Sequence, residues 1–296
     1  MMLGLTIGIV MGSVAIESPP YDVAFISRRD GNWEIYTMRG DGGEQANRSQ
    51  HPEGDHAPRW TDDGRSIVFR SQRSGDGYAP HRMLADGTSI EPTDGSKVYG
   101  ISFLPDGVRA VRSIDDETGL DVYIEDTRSG ERTRLTRDAG ENWGPTASPD
   151  GSLVLFSSNR DGNTELYLLE LDGNGVATRT RRLTETPSLR ERYASFSPDG
   201  TTVLYSAGPD DAEDGAPDLY TIDVRTGTVT RLTDTPGAEG ECSYSPDGAW
   251  ILFQGRTEEG DADVFAMLAD GTGRRNLTST PGYDGEPVWC PVRREP

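Results

Sequence analysis

Ser148-Pro149-Asp150-Gly151-Ser152-Leu153-Val154-Leu155-Phe156-Ser157-Ser158-Asn159-Arg160-Asp161-Gly162-Asn163-Thr164-Glu165-Leu166-Tyr167-Leu168-Leu169 is the stretch on which the fold turns. Two apolar runs of strand length, Leu153 to Ser157 and Glu165 to Leu171, are separated by Asn159-Arg160-Asp161-Gly162-Asn163. Gly accepts the positive φ of a tight hairpin and Asp bonds back to its own backbone, so the pattern predicts two antiparallel strands joined by a turn. Asp172-Gly173 opens a third strand through Arg182-Leu183-Thr184, and a loop at Glu185 to Glu191 leads to a further strand, Tyr193 to Ser197. Four short antiparallel strands per unit make one propeller blade.

Working outward, the phrase Ser-Pro-Asp-Gly returns. It reads Trp60-Thr61-Asp62-Asp63-Gly64, Phe103-Leu104-Pro105-Asp106-Gly107, Phe196-Ser197-Pro198-Asp199-Gly200 and Tyr244-Ser245-Pro246-Asp247-Gly248, with a truncated copy at Trp289-Cys290-Pro291. Successive glycines fall 43, 44, 49 and 48 residues apart, a period that belongs to propellers and solenoids. The pairs Ile35-Tyr36, Val122-Tyr123, Leu219-Tyr220 and Val264-Phe265 match Leu166-Tyr167, and read as core between neighbouring blades. At one end Tyr21 to Gly31 matches the second strand of the unit; at the other, Trp289 to Val292 matches the first. Each terminus holds what the other lacks. The expectation is an all-β, closed six-bladed β-propeller of four-stranded antiparallel blades over residues 21–296, its first blade completed by the C-terminal strand.

Two units depart from the pattern. Pro80 and His81 stand where Leu166 and Tyr167 stand, which predicts a bent or broken strand because proline has no N–H for a ladder. Arg112 replaces an aromatic residue and needs a partner, for which Asp121 or the run Asp115-Asp116-Glu117 offers itself.

The net charge of −21 argues against a nucleic-acid partner, which needs a concentrated basic footprint, and against an anionic membrane surface. Met1 to Ile16 is apolar or small, with Ser13-Val14-Ala15 as a small-x-small site. Residues 1–20 therefore read as a signal-peptide-like segment with a short linker, too short for a membrane span and without a basic n-region; the competing reading is an N-terminal strand. Cys242 and Cys290 lie near matching points of successive units and read as two unpaired, buried thiols.

Ser148-Pro149-Asp150-Gly151, Phe156 to Asn163 and Leu166-Tyr167 resemble the PD40 repeat of the TolB-type, WD40-like six-bladed propellers, over about residues 21 to 292. The resemblance implies a periplasmic or otherwise exported location and protein binding as the usual task. The namesake of the family carries an α/β domain ahead of its propeller that residues 1–20 are too few to supply, so the chain is expected not to be that protein itself.

Propellers carry functional groups on loops at the ends of the central channel. The loops entering each innermost strand read Asp55-His56-Ala57, Val98-Tyr99-Gly100, Asn142-Trp143-Gly144, Glu191-Arg192-Tyr193, Glu239-Gly240-Glu241 and Asp284-Gly285-Glu286. From them Asp55, His56, Tyr99, Trp143, Glu191, Arg192, Glu239, Glu241, Asp284 and Glu286 are singled out as a ring for a ligand or partner: aromatics offer flat apolar faces and carboxylates accept hydrogen bonds or hold a cation. The plainer alternative is that these acids simply stay hydrated. Asn159, Asp161, Asn163 and Glu165 alternate like a loop for Ca2+, yet a hairpin explains the spacing equally and no EF-hand loop is present. His51 and His56 make a weak zinc pair without cysteine support.

No Gly-x-Ser-x-Gly or phosphate loop appears, and no residue is singled out as catalytic. The reading is a non-catalytic binding module for a protein or peptide partner, exported and monomeric, with no cofactor and no membrane insertion once the signal is removed. The alternatives are a channel-mouth hydrolase or lyase acting on a glycan or peptide, and a cation or ligand sensor.

Overall fold

The computed structural model describes residues 18–75, 77–93, 101–117, 119–137, 140–209, 216–257 and 260–295. Most of the signal-like segment and Tyr99 lie outside them. Six four-stranded antiparallel sheets follow one another along the chain. Blade 1 joins β24 (Asp284–Arg293) to β1 (Tyr21–Ser27), β2 (Glu34–Arg39) and β3 (Ala46–Asn47). Blade 2 is β4 (Asp55–Trp60), β5 (Ser66–Ser71), β6 (Ala79–Leu84) and β7 (Glu91–Pro92); blade 3 is β8 (Ser102–Phe103), β9 (Arg109–Asp116), β10 (Gly119–Asp126) and β11 (Arg132–Arg134). Blade 4 holds β12 (Asn142–Ala147), β13 (Leu153–Ser158), β14 (Glu165–Leu171) and β15 (Ala177–Arg182). Blade 5 holds β16 (Arg190–Phe196), β17 (Thr202–Gly208), β18 (Asp218–Asp223) and β19 (Val229–Arg231), and blade 6 holds β20 (Glu239–Tyr244), β21 (Trp250–Arg256), β22 (Ala262–Leu268) and β23 (Arg275–Asn276). Among the described residues no helix is long and apolar enough to cross a membrane.

The ring closes as the chain ends predict. β24 lies antiparallel to β1, with Tyr21 opposite Arg293, Val23 opposite Trp289 and Ser27 opposite Asp284. Trp289 meets Tyr21 edge to face, ring centroids 6.2 Å apart, and its indole N–H donates to the Ser243 carbonyl of blade 6 at 3.4 Å. Strand alternation sends one set of side chains to each neighbour. Thus Val23, Phe25 and Met38 of blade 1 pack on Trp250, Leu252 and Val264 of blade 6, while Ala24, Ile26 and Ile35 pack on Ile67, Phe69 and Met83 of blade 2.

The recurrent phrase is a turn and also a contact between blades. The Ser148 hydroxyl donates to Asp150 at 2.6 Å, the Gly151 N–H donates to the Ser148 carbonyl at 2.9 Å, and Gly151 has φ of +72°, a conformation in which a side chain is strained. A Cβ on Gly151 would stand 2.7 Å from the Pro105 ring of the preceding blade. Gly200 and Gly248 face Pro149 and Pro198 in the same way. Where blade 2 has Asp62 in place of the proline, Gly107 of blade 3 faces open space.

Two expectations are corrected. β6 is intact and pairs with β5 along its whole length despite Pro80. A strand residue points its N–H and C=O to the same side, and the Pro80 carbonyl accepts the Thr93 N–H at 3.0 Å on the outer side. The missing N–H therefore faces the short strand β7 and breaks no bond to β5. His81 then occupies the aromatic position as a buried residue 6.1 Å from Phe69. Arg112 has Glu125 as an ion-pair partner at 3.5 Å, while Asp121 is taken by Arg134. Both cysteines are buried and free.

Closure through Trp289 gives a direct test. Trp289→Ala leaves a cavity at the junction of blades 6 and 1 and is expected to lower stability by about 3–5 kcal/mol. Urea unfolding reads this, and a loss below about 1 kcal/mol would show that the junction is not held by this side chain.

Candidate functional site

In five blades a polar residue at the start of the innermost strand is turned into the blade. Asp55, Asn142, Glu191, Glu239 and Asp284 are all buried. In blades 1, 2 and 4 an arginine two residues beyond the second strand pairs with this group. Arg29 meets Asp284 at 2.8 Å, Arg73 meets Asp55 at 2.9 Å, and Arg160 donates to the Asn142 amide oxygen at 2.8 Å. Ser27, Ser71 and Ser158 hold the same three guanidinium groups from the strand end. The pairs staple the innermost strand to the hairpin beside it, in surroundings where an unpartnered charge is costly.

Blades 5 and 6 lack that arginine, with Pro209 and Thr257 at the matching positions. Blade 6 substitutes Arg274, which reaches Glu239 at 3.0 Å while lying over the Phe265 ring at 4.4 Å. Blade 5 has no substitute among the described residues. Glu191 accepts only the Thr186 hydroxyl, and its other oxygen has no partner. Burial pushes the Glu191 carboxyl up to about 7, with the charge of Glu165 adding to the effect and Arg182 opposing it.

Two residues further on, the innermost strand bulges in these five blades and re-aims the next side chain. The register slips between His56 and Arg59, Trp143 and Thr146, Arg192 and Ser195, and Gly240 and Ser243. At each slip one residue takes a left-handed backbone: Ala57 at φ +53°, Gly144 at +54°, Tyr193 at +55°, Glu241 at +49° and, in β24, Glu286 at +50°. Bulges that re-aim side chains are a recognised device at functional rims. Here they also build a relay around the ring. Glu241 accepts the backbone N–H of Glu286 at 2.6 Å, and Glu286 accepts that of Ala57 at 2.5 Å, each carboxylate tying its blade to the next. Burial raises the Glu241 carboxyl above the ordinary carboxylate range, and the neighbouring Glu286 charge adds to it.

Of the ten residues singled out by sequence, Asp55, Glu191, Glu239 and Asp284 thus lie behind the mouth wall, and Glu241 and Glu286 each spend an oxygen on a neighbouring blade. Tyr99 lies outside the described residues. Trp143 is half-buried and Arg192 exposed. His56 stacks in an aromatic group, 5.1 Å from Trp33 and 5.2 Å from Tyr78, with Tyr283 against Trp33 at 4.9 Å and Glu286 at 3.9 Å. Burial there lowers the His56 pKa, with Glu286 and Asp55 pulling the other way. The sequence reading passed over Trp33, Tyr78, Tyr193, Arg256 and Tyr283. Tyr193 alone carried a signal, as a bulky side chain at the repeat position where other blades have Ala, Gly or Glu.

The residues proposed for Ca2+ separate. Asn159 accepts the Glu141 N–H, Asp161 accepts the Tyr167 hydroxyl, Asn163 donates to the Thr186 and Leu189 carbonyls, and Glu165 is paired with Arg182. His51 turns to the Glu53 N–H, away from His56. Among the described residues no three His, Cys, Asp or Glu side chains converge as metal ligands.

Comparison with known proteins follows this geometry. The family described as TolB beta propeller domain, PD40, matches residues 95–212 and 176–295. An uncharacterized protein of Agrobacterium fabrum is 31% identical over 157 residues, 51% of this chain and 52% of that one. A TolB homolog of Chlorobaculum tepidum is 32% identical over 137 residues, 45% of this chain and 28% of its own. The matched stretches span about half or less of these relatives. The crystal structure of TolB from Acinetobacter baumannii superposes with a TM-score of 0.70 at 24% identity, covering 92% of this chain and 67% of that one, a likeness of fold.

Two variants probe the wall behind the mouth. Arg73→Ala strands the buried Asp55 charge and is expected to cost about 3–5 kcal/mol in urea unfolding. Glu191 is protonated in the folded chain and ionised in the unfolded chain between about pH 5 and 7. The native state there holds the extra proton, so this group's contribution falls as pH rises through that interval. Glu191→Gln is expected to flatten the wild-type slope and to be more stable at pH 8 by about 1–3 kcal/mol, read from urea midpoints at pH 5, 7 and 8.

Proposed function

Since the chain belongs to the TolB beta propeller family of PD40 repeats, we propose that it is a non-catalytic binding module that takes a protein or peptide partner at the channel mouth. One observation carries the reading. The mouth carboxylates are bonded inward or to the neighbouring blade, whereas Trp143, Arg192 and Tyr193 remain to face a partner. Exposed aromatic and arginine side chains in a concave rim are the groups that dominate protein recognition.

A channel-mouth hydrolase needs one carboxyl free to give a proton and a second free to act as base or nucleophile. Glu241 and Glu286, the acids nearest the channel, instead each hold a backbone N–H. A cation sensor would need several such oxygens to converge, and among the described residues no three His, Cys, Asp or Glu side chains do. The proposal includes an exported, periplasmic or extracellular setting and action as a monomer. It draws on the family resemblance and on the apolar segment Met1 to Ile16.

The test is a pull-down from the envelope fraction with the intact propeller and with the double variant Trp143→Ala, Arg192→Ala. Loss of the captured partner in the variant, with an unchanged melting temperature, is the expected result. A partner retained at undiminished yield would remove the mouth as the binding face.

A further inference from the structure

Blades 5 and 6 frame a cavity of about 640 Å3 at the mouth, lined among others by Arg192, Tyr193, Gln254, Arg256 and Tyr283. Its charges are unequally placed. Of the carboxylates lining it among the described residues, Glu239 is held by Arg274 at 3.0 Å and by the Thr235 hydroxyl at 3.0 Å, and Glu241 holds the Glu286 N–H at 2.6 Å. Arg192 and Arg256 are exposed, and neither has an ion pair among the described residues. Among the described residues this sector therefore presents two exposed cations without an ion-pair partner, while the buried Glu239 already has one in Arg274.

Tyr193 supplies a second, independent observation. It is 52% exposed and held at φ +55°, a strained backbone for a bulky residue. Its ring lies on Gly240 of the next blade, where an added Cβ would stand 3.1 Å from the Tyr193 Cε2. His56, Trp143 and Arg192 fill the position of Gly240 in blades 2, 4 and 5, whereas here, as at Gly285 of blade 1, a glycine leaves room for a neighbouring tyrosine ring. On the far side, the Tyr283 hydroxyl donates to Gln254 at 2.9 Å. The result is a flat aromatic platform beside two guanidinium groups.

We propose that this cavity seats an acidic segment of the partner peptide, a side-chain carboxylate on Arg192 and Arg256 and the adjoining chain on the Tyr193 face. The proposal rests on the mouth being the binding face and names what it binds. Guanidinium groups bond carboxylates by charge-assisted hydrogen bonds, and an aromatic face accepts peptide without demanding one side chain. A cavity of this size takes a drug-sized element, a few residues of peptide, which sets the footprint of the acidic segment.

Selection of displayed random heptapeptides on the full chain, followed by titration of labelled synthetic copies, tests it. The expected result is enrichment of Asp and Glu, with binding weakened about tenfold or more by either Arg192→Ala or Arg256→Ala and by replacing the peptide acids with their amides. Both arginine side chains are exposed, so the variants are expected to keep the wild-type melting temperature. Peptides that depend on Trp143 but show no acidic enrichment, or that bind the arginine variants normally, would overturn this inference and leave the mouth reading standing. No peptide dependent on Trp143 or Arg192 would overturn both. An oligouronate that binds through the same arginines when no acidic peptide does would reassign the cavity to a sugar acid.

Discussion

The pairing of β24 with β1 is the constraint on which the rest of this molecule depends. A row of twisted blades has two open edges, and an exposed edge offers unsatisfied N–H and C=O groups to any passing strand. Placing Asp284–Arg293 inside Tyr21–Ser27 brings blade 6 against blade 1, so that Trp250 and Leu252 are covered by Val23 and Phe25. Only in a closed ring do the innermost strands converge on one axis, and only then can a carboxylate on one blade reach an N–H on the next. The Glu241 to Glu286 to Ala57 relay is a product of closure as much as a support for it.

The architecture was legible because its signals are local and repeated. Turn glycines at a steady period, apolar runs of strand length and complementary chain ends each follow from backbone conformation and alternation, which need no knowledge of distant residues. The departures were harder. Pro80 looked disruptive because the direction in which its missing N–H points cannot be read from composition; the sheet put that gap on the side where little was needed. Arg112 found Glu125 through cross-strand neighbours.

The mouth was legible as a location but not as chemistry. Strand alternation assumes one direction per residue, and the bulge breaks that assumption at the positions where the candidates lie. Asp55 and Asp284 point to arginines on the neighbouring hairpin, whereas Glu241 and Glu286 reach backbone N–H groups of the next blade. A ring that appears rich in free acid is, in three dimensions, a set of internal staples, with Arg192 and Arg256 exposed between blades 5 and 6. Asp55, Glu239 and Asp284 hold the scaffold around that mouth through their arginines.

The left-handed residue in the innermost strands narrows the chemical alphabet available to the channel wall. Only side chains that tolerate a positive φ can occupy it without large strain, which disfavours Val, Ile and Thr and leaves Gly, Ala, unbranched acids and, at a cost, a ring such as that of Tyr193. Diversification of such a wall must therefore proceed by exchanging small, acidic and aromatic residues at a handful of equivalent points. The backbone itself thereby acts as a filter on what the propeller can evolve to recognise.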